Sequence, residues 1–176
     1  KPCASPLLQL GRELFFIYFT DLYKSLSPTE FGQAGDLVGY LNRVFDGTEQ
    51  ALKNNPLIKA FLVYDGSILV GFTAGELLED VHTILIRTLP VAVAHKQQEL
   101  AIRQAMVEHF CTLFPTASQV VVMVRKTNVH HGQLCLQQGF IKDDTVFSAS
   151  ASIARGYNAA CYDGYVCPLT KGFSEK

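Results

Sequence analysis

Four acid–base groups crowd one short stretch of the chain: Glu76, Glu79, Asp80 and His82. A carboxylate or an imidazole there could take a proton from an incoming nucleophile through water, and an imidazole with a reference pKa near about 6.5 suits that task. Glu76 lies inside an apolar run and is the first choice as a base; His82 is the second. Farther along stands Cys135. A reference thiol titrates near about 8.5, so it stays mostly protonated at neutral pH and could deliver a proton. The same residue also reads as a small apolar side chain on a helix face. Gln98, Glu99, Leu100, Ala101, Ile102 and Arg103 open a long helix, where backbone N–H groups can hold phosphate. Asn128 precedes a shorter helix and reads as its cap. Metal chemistry is not expected. His130 and His131 are adjacent and point about 100° apart on a helix, and His95 and His109 have no partners at ligand spacing. The sequence has no Gly-x-Ser-x-Gly elbow, no Walker loop and no Rossmann glycine triplet.

The elements that must position these groups follow from period and punctuation. Residues 7–26 are apolar enough for a helix, although the aromatic run ELFFIYFT (13–20) reads equally as a buried strand. Ser27 and Thr29 are candidate caps of a following helix, and Leu37, Leu41, Val44 and Phe45 recur at helical spacing, with further turns over 46–54. Residues 60–64 and 68–77 flank Asp65-Gly66, a β-hairpin signature. Residues 83–94 form a third strand broken by Pro90, which suits a strand leaving its ladder because proline has no N–H to donate. A helix over 97–114 is expected to bury Leu100, Ala101, Ala105, Met106, His109, Phe110 and Leu113. QVVVMVR (119–125) reads as a strand buried on both faces. Residues 129–138 read as a helix closed by Gly139, and 147–153 with 162–168 as a final antiparallel pair. The fold class is mixed α/β.

Composition bounds the rest. The 176 residues fit one domain, with 1–58 as a variable helical part and 60–168 as the core. At 48% apolar and 18% charged residues, the chain is not disordered. Fifteen Lys and Arg against sixteen Asp and Glu leave a net charge of −1 and no broad case for nucleic-acid binding. No apolar run approaches the roughly 20 residues of a membrane span, so the chain is read as soluble, with no membrane partner. Five scattered cysteines without a CxxC are read as reduced thiols, which places the protein in the cytoplasm.

Three stretches resemble the GCN5-related N-acetyltransferase (GNAT) superfamily. AFLVYDGSILVGFTAG (60–75) is similar to the family's second and third strands. VAVAHKQQELAIRQAMVEHF (91–110) is similar to the end of its fourth strand, its pyrophosphate loop and its long helix. VVVMVRKTNVHHGQLCLQQGF (120–140) is similar to its fifth strand, an Asn, a short helix and a closing Gly-Phe. The resemblance covers roughly the last two thirds of the chain. It implies a mostly antiparallel sheet whose parallel fourth and fifth strands splay apart, and acetyl-CoA as co-substrate of an N-acyltransferase with no metal. A bulge at Val91 and Val93 would polarise the thioester carbonyl, residues 98–103 and Asn128 would serve the cofactor, and Cys135 would stand where the family carries a Tyr. The acceptor would be a small-molecule or peptide amine; homodimerisation is left open.

The resemblance departs at three places. Ala101 and Arg103 replace loop glycines, so Arg103 must turn outward or meet a phosphate itself. Cys135 replaces the Tyr. Arg87 occupies a fourth-strand position where some members carry a carboxylate. These departures raise a reading of another class: a cofactor-free GNAT-fold module for interaction or regulation.

Overall fold

The computed structural model describes residues 5–24, 36–143, 145 and 161–169. Its elements are α1 (Pro6–Tyr23), α2 (Leu37–Asn54), β1 (Ile58–Asp65), β2 (Ile68–Leu77), β3 (Thr83–Thr88), a 3₁₀ turn (Val93–Gln98), α3 (Glu99–Leu113), β4 (Gln119–Arg125), α4 (Val129–Gln137), β5 (Ile141–Lys142) and β6 (Tyr162–Pro168). The strands form a mixed sheet in the order β1-β2-β3-β4-β6-β5. The helix start at Ser27 or Thr29 and the strand over 147–153 lie outside the described residues. Contacts divide the chain into two compact units: residues up to 74 with 88–102, and residues 75–87 with 103 onward. Among the described residues, no helix is long and apolar enough to cross a membrane.

In the first unit, the aromatic run resolves as helix. Pro6 occupies the first turn of α1, and the Ser5 hydroxyl accepts from the Leu8 N–H at 3.3 Å. Helical spacing then gathers Phe15, Phe19 and Tyr23 on one side, where they meet Tyr40, Leu41 and Phe45 of α2 and Phe72 of β2. The Phe15 and Phe45 rings lie 5.3 Å apart in an edge arrangement, and Phe45 lies 5.9 Å from Phe72. Gly11 permits this approach, since a Cβ there would fall 2.6 Å from the Phe72 ring.

In the second unit, β3 and β4 run parallel and β4 pairs with β6 along its whole length. Leu85, Val121 and Val166 form an apolar cluster. α4 has the predicted ends: the Asn128 Oδ1 accepts from the His131 N–H at 3.1 Å, and Gly139 follows at φ +90°. β6 pairs with the two-residue β5, which the sequence reading did not contain.

The buried stripe of α3 differs from the expected one. Glu99 and Ile102 are buried in the first unit and Arg103, Met106 and Phe110 in the second, whereas Ala101, Ala105 and His109 are exposed. Hydrophobicity alone misassigns this face because two of its inward positions carry charged side chains.

Candidate functional site

The sequence signal at Pro90 corresponds to a bulge. Thr83 bonds opposite Leu78, through the Leu78 N–H to the Thr83 carbonyl at 2.9 Å. Farther along, the Phe72 N–H donates to the Pro90 carbonyl at 3.0 Å, and the Ala92 N–H to the Val70 carbonyl at 2.8 Å. From Leu78 to Phe72 is six residues, from Thr83 to Pro90 seven, so one extra residue has entered before Val91. Gly71 and Val91 then face each other as an antiparallel bridge flanked by those two bonds. In such a non-hydrogen-bonded pair each residue's own N–H points away from its partner strand. The Val91 N–H is therefore turned from β2, and the Val91 side chain is buried. Val93 is exposed and begins the 3₁₀ turn. An apolar groove of about 300 Å³ runs along this segment, lined by Leu10, Leu14, Ile17, Leu69, Val91 and Ala94.

The start of α3 is built differently from an open glycine loop. The 3₁₀ turn runs straight into the helix, and the Glu99 N–H already donates to the Lys96 carbonyl. The Glu99 side chain is buried, and its Oε1 accepts from the Tyr18 hydroxyl at 2.5 Å. Glu99 is thus engaged by the protein through both its backbone and its side chain. Gln98 and Ala101 are exposed, Leu100 is half-buried and Ile102 is buried.

In the second unit the parallel strands part. Their register runs from Thr83 opposite Gln119 to Ile86 opposite Val122 and stops there, although β4 continues to Arg125. Arg87 is the next residue of β3. Its Nη2 lies 3.1 Å and its Nε 3.2 Å from the Glu76 Oε1, and the Glu76 side chain is only 3% exposed. His82 lies at the other end of β3, exposed, with Nδ1 3.3 Å from the Thr116 carbonyl. Five residues of strand separate it from Arg87, about 16 Å. That distance sets His82 at the opposite end of β3 from the point where the strands diverge.

Arg103 is turned inward: it is 2% exposed, and its guanidinium hydrogen-bonds the Cys135 thiol. Burial pushes the Cys135 thiol up to about 11, against the pull of the Arg103 charge and hydrogen bond. Burial, then the charge of Arg103, then that of His130, holds His131 well below an ordinary imidazole. The His131 Nε2 is buried without a hydrogen-bond partner among the described residues. Spacing marks His131 only as one of two adjacent histidines that cannot share a metal; its involvement with Arg103 has no signature in spacing. Tyr165 of β6 was likewise missed as a neighbour of α4: a Cβ on Gly132 would lie 3.0 Å from its hydroxyl. Among the described residues, no group of His, Cys, Asp and Glu side chains could hold a metal ion.

A parallel pair that parts at mid-strand, a one-residue bulge on the strand before a long helix, and an Asn-capped short helix closing on Gly-Phe define a known arrangement. The fold is that of the GCN5-related N-acetyltransferases. An acetyltransferase from Streptococcus agalactiae matches at 12% identity over 95% of this chain and 94% of that one, with a TM-score of 0.64. The PaiA N-acetyltransferase of Thermoplasma acidophilum, solved with coenzyme A, matches at 12% identity over 92% of each chain, with a TM-score of 0.62. PseH of Campylobacter jejuni, an N-acetyltransferase solved with acetyl coenzyme A, matches at 12% identity over 96% of this chain and 94% of that one, with a TM-score of 0.57. At such identities the likeness is one of fold. No protein-family model matches the sequence, and no curated protein matches it.

Proposed function

We propose that this GNAT-fold chain is an N-acyltransferase that moves an acetyl group from acetyl-CoA to an amine by direct attack. The parting of β3 and β4 after Ile86 carries this reading, because it leaves strand edges to which an extended ligand can bond. Acetyl-CoA supplies the activated acyl carbon. The Val91 N–H, turned from β2, donates to the carbonyl oxygen as it gains charge. The groove beside Val91 and Val93 takes the apolar stretch of the ligand. With Glu99 engaged and Arg103 turned inward, the pyrophosphate is left to Gln98, Leu100, Ala101 and Ile102, and Asn128 orders the start of α4.

The amine nitrogen forms a bond to the acyl carbon as the carbon–sulfur bond breaks. The proton released by the amine passes to water, and the departing thiolate takes one from Cys135 or from water. A buried thiol at about 11 is close in acid strength to a phenol, near about 10. Cys135 thus stays protonated at neutral pH, as the Tyr it replaces would.

A second reading has an observation of its own. The bonded Glu99 N–H and the Cβ of Ala101 both remove capacity for phosphate, as expected of a module that no longer holds a cofactor. A thermal titration with CoA and acetyl-CoA separates the two. Ligand at about 100 times its Kd stabilises by about 2.7 kcal/mol, or about 5–11 °C for a chain of this size. No shift at millimolar ligand refutes the enzyme and leaves the module. Where binding is seen, Cys135→Ala tests the acid: a role in protonation is worth about 10²–10⁴ in turnover, and unchanged turnover assigns that proton to water.

A further inference from the structure

The Glu76–Arg87 pair bears on the acceptor. Glu76 approaches Arg87 side-on, on the Nε and Nη2 edge, through one oxygen at 3.2 and 3.1 Å. A guanidinium has a second, end-on edge formed by Nη1 and the outer N–H of Nη2, which matches a carboxylate in a two-bond fork. The register from Leu78 and Thr83 puts Glu76 opposite Leu85, so Arg87 is its diagonal neighbour on the same face. Arg87 is also the first residue of β3 beyond the parallel pairing, and its side chain keeps 18% exposure where that of Glu76 keeps 3%. The buried carboxylate is therefore matched in charge by the protein itself, and the more exposed member of the pair is the cation.

We propose that Arg87 is the specificity-determining residue for the acceptor, and that the acceptor is an amine bearing a carboxylate, such as an α-amino acid. The end-on edge of Arg87 binds that carboxylate while Glu76 keeps the guanidinium from rotating. A polyamine meets the opposite situation: Glu76 is already neutralised, and Arg87 repels any second ammonium group. This rests on the acyltransferase reading above and adds the class of its second substrate.

The test uses the full chain with acetyl-CoA, the common α-amino acids, their carboxamides, and spermidine. CoA binding is first established by thermal shift, and rates are compared per neutral amine. A hydrogen-bonded charge pair is worth tenfold or more, so acids should exceed their carboxamides in kcat/KM by about tenfold or more. Arg87→Gln should bring that ratio to about one. Arg87→Lys should lower it while retaining the charge beside Glu76, which guards against a variant that merely misfolds. In both variants the CoA-induced shift should be unchanged. Carboxamides or spermidine preferred over acids, no acid acetylated, or a ratio untouched by Arg87→Lys would each overturn the proposal while leaving acyl transfer standing. Absence of any CoA shift takes down the acyltransferase reading, and this one with it.

Discussion

His131 gives the fold a stability that depends on pH in a definite direction. The ring is held neutral because burial disfavours its charged form and because Arg103 and His130 add positive charge nearby. In the unfolded chain the same imidazole titrates near about 6.5. Below that pH the unfolded state binds a proton that the folded state refuses, so stability must fall as pH falls, starting near the unfolded value and continuing toward the folded one. The slope of one such group is at most about 1.4 kcal/mol per pH unit. Between pH 6.5 and 5 this amounts to at most about 2 kcal/mol, or about 1 M in the urea midpoint. The carboxylates held below their usual range, Asp80 and the exposed Asp21 and Asp143, act mainly under about pH 4 and leave this window clear. Urea unfolding of the wild type and His131→Leu at pH 7.5, 6.5, 5.75 and 5.0 reads the effect as a difference in slope, whatever the variant costs at neutral pH. Equal slopes in the two proteins would refute the buried, neutral imidazole.

Two further changes test the packing. Gly75→Ala places a Cβ 2.9 Å from the Phe110 ring and 3.3 Å from the Leu85 carbonyl. Phe110 is fully buried and cannot swing aside, so overpacking should cost about 1–3 kcal/mol, read as a fall in Tm of about 2–4 °C per kcal/mol; an unchanged Tm contradicts it. Tyr18→Phe removes the hydroxyl that donates to the buried Glu99 carboxylate at 2.5 Å. A hydrogen bond to a carboxylate is worth about 1.5–3 kcal/mol, so the calorimetric Tm at pH 7 should fall by about 3–12 °C; an unchanged Tm contradicts it.

Much of this architecture was legible because local chemistry and tertiary placement agreed. Gly139 takes a positive φ that glycine tolerates, and Asn128 caps α4 whether or not a ligand is present. The Asp-Gly turn and the continuous run from Gln119 to Arg125 read the same way for a local and a buried strand. Pro90 signalled that the ladder breaks, and one extra residue does enter there. The failures share a cause. α1 was ambiguous because its aromatic residues are as apolar as those of a buried strand, and only the partner surface of α2 and β2 selects the helical face. The stripe on α3 was misread because Glu99 and Arg103 look like surface residues until Tyr18 and Cys135 are seen to receive them. β5 was too short to have a period. His82 looked suitable by its reference pKa, and only the extent of β3 shows it at the far end from the divergence.

The inward turn of Arg103 also makes one charge answerable for two titrations. A buried cation favours the deprotonated form of every neighbour: it repels the proton on His131 and stabilises the thiolate of Cys135. Arg103→Met keeps most of the side chain's apolar length and removes the charge. Both groups should then move upward, His131 toward an ordinary imidazole and Cys135 beyond its already raised position. Histidine proton NMR follows the first, and the pH dependence of alkylation by a small reagent follows the second. Removing one partner of a buried polar contact can cost about 3–5 kcal/mol, so both titrations are read only where the far-UV circular dichroism of the variant matches that of the wild type. Shifts in opposite directions cannot come from one charge, and would mean that Arg103 acts on these groups by excluding water from one of them rather than by its field.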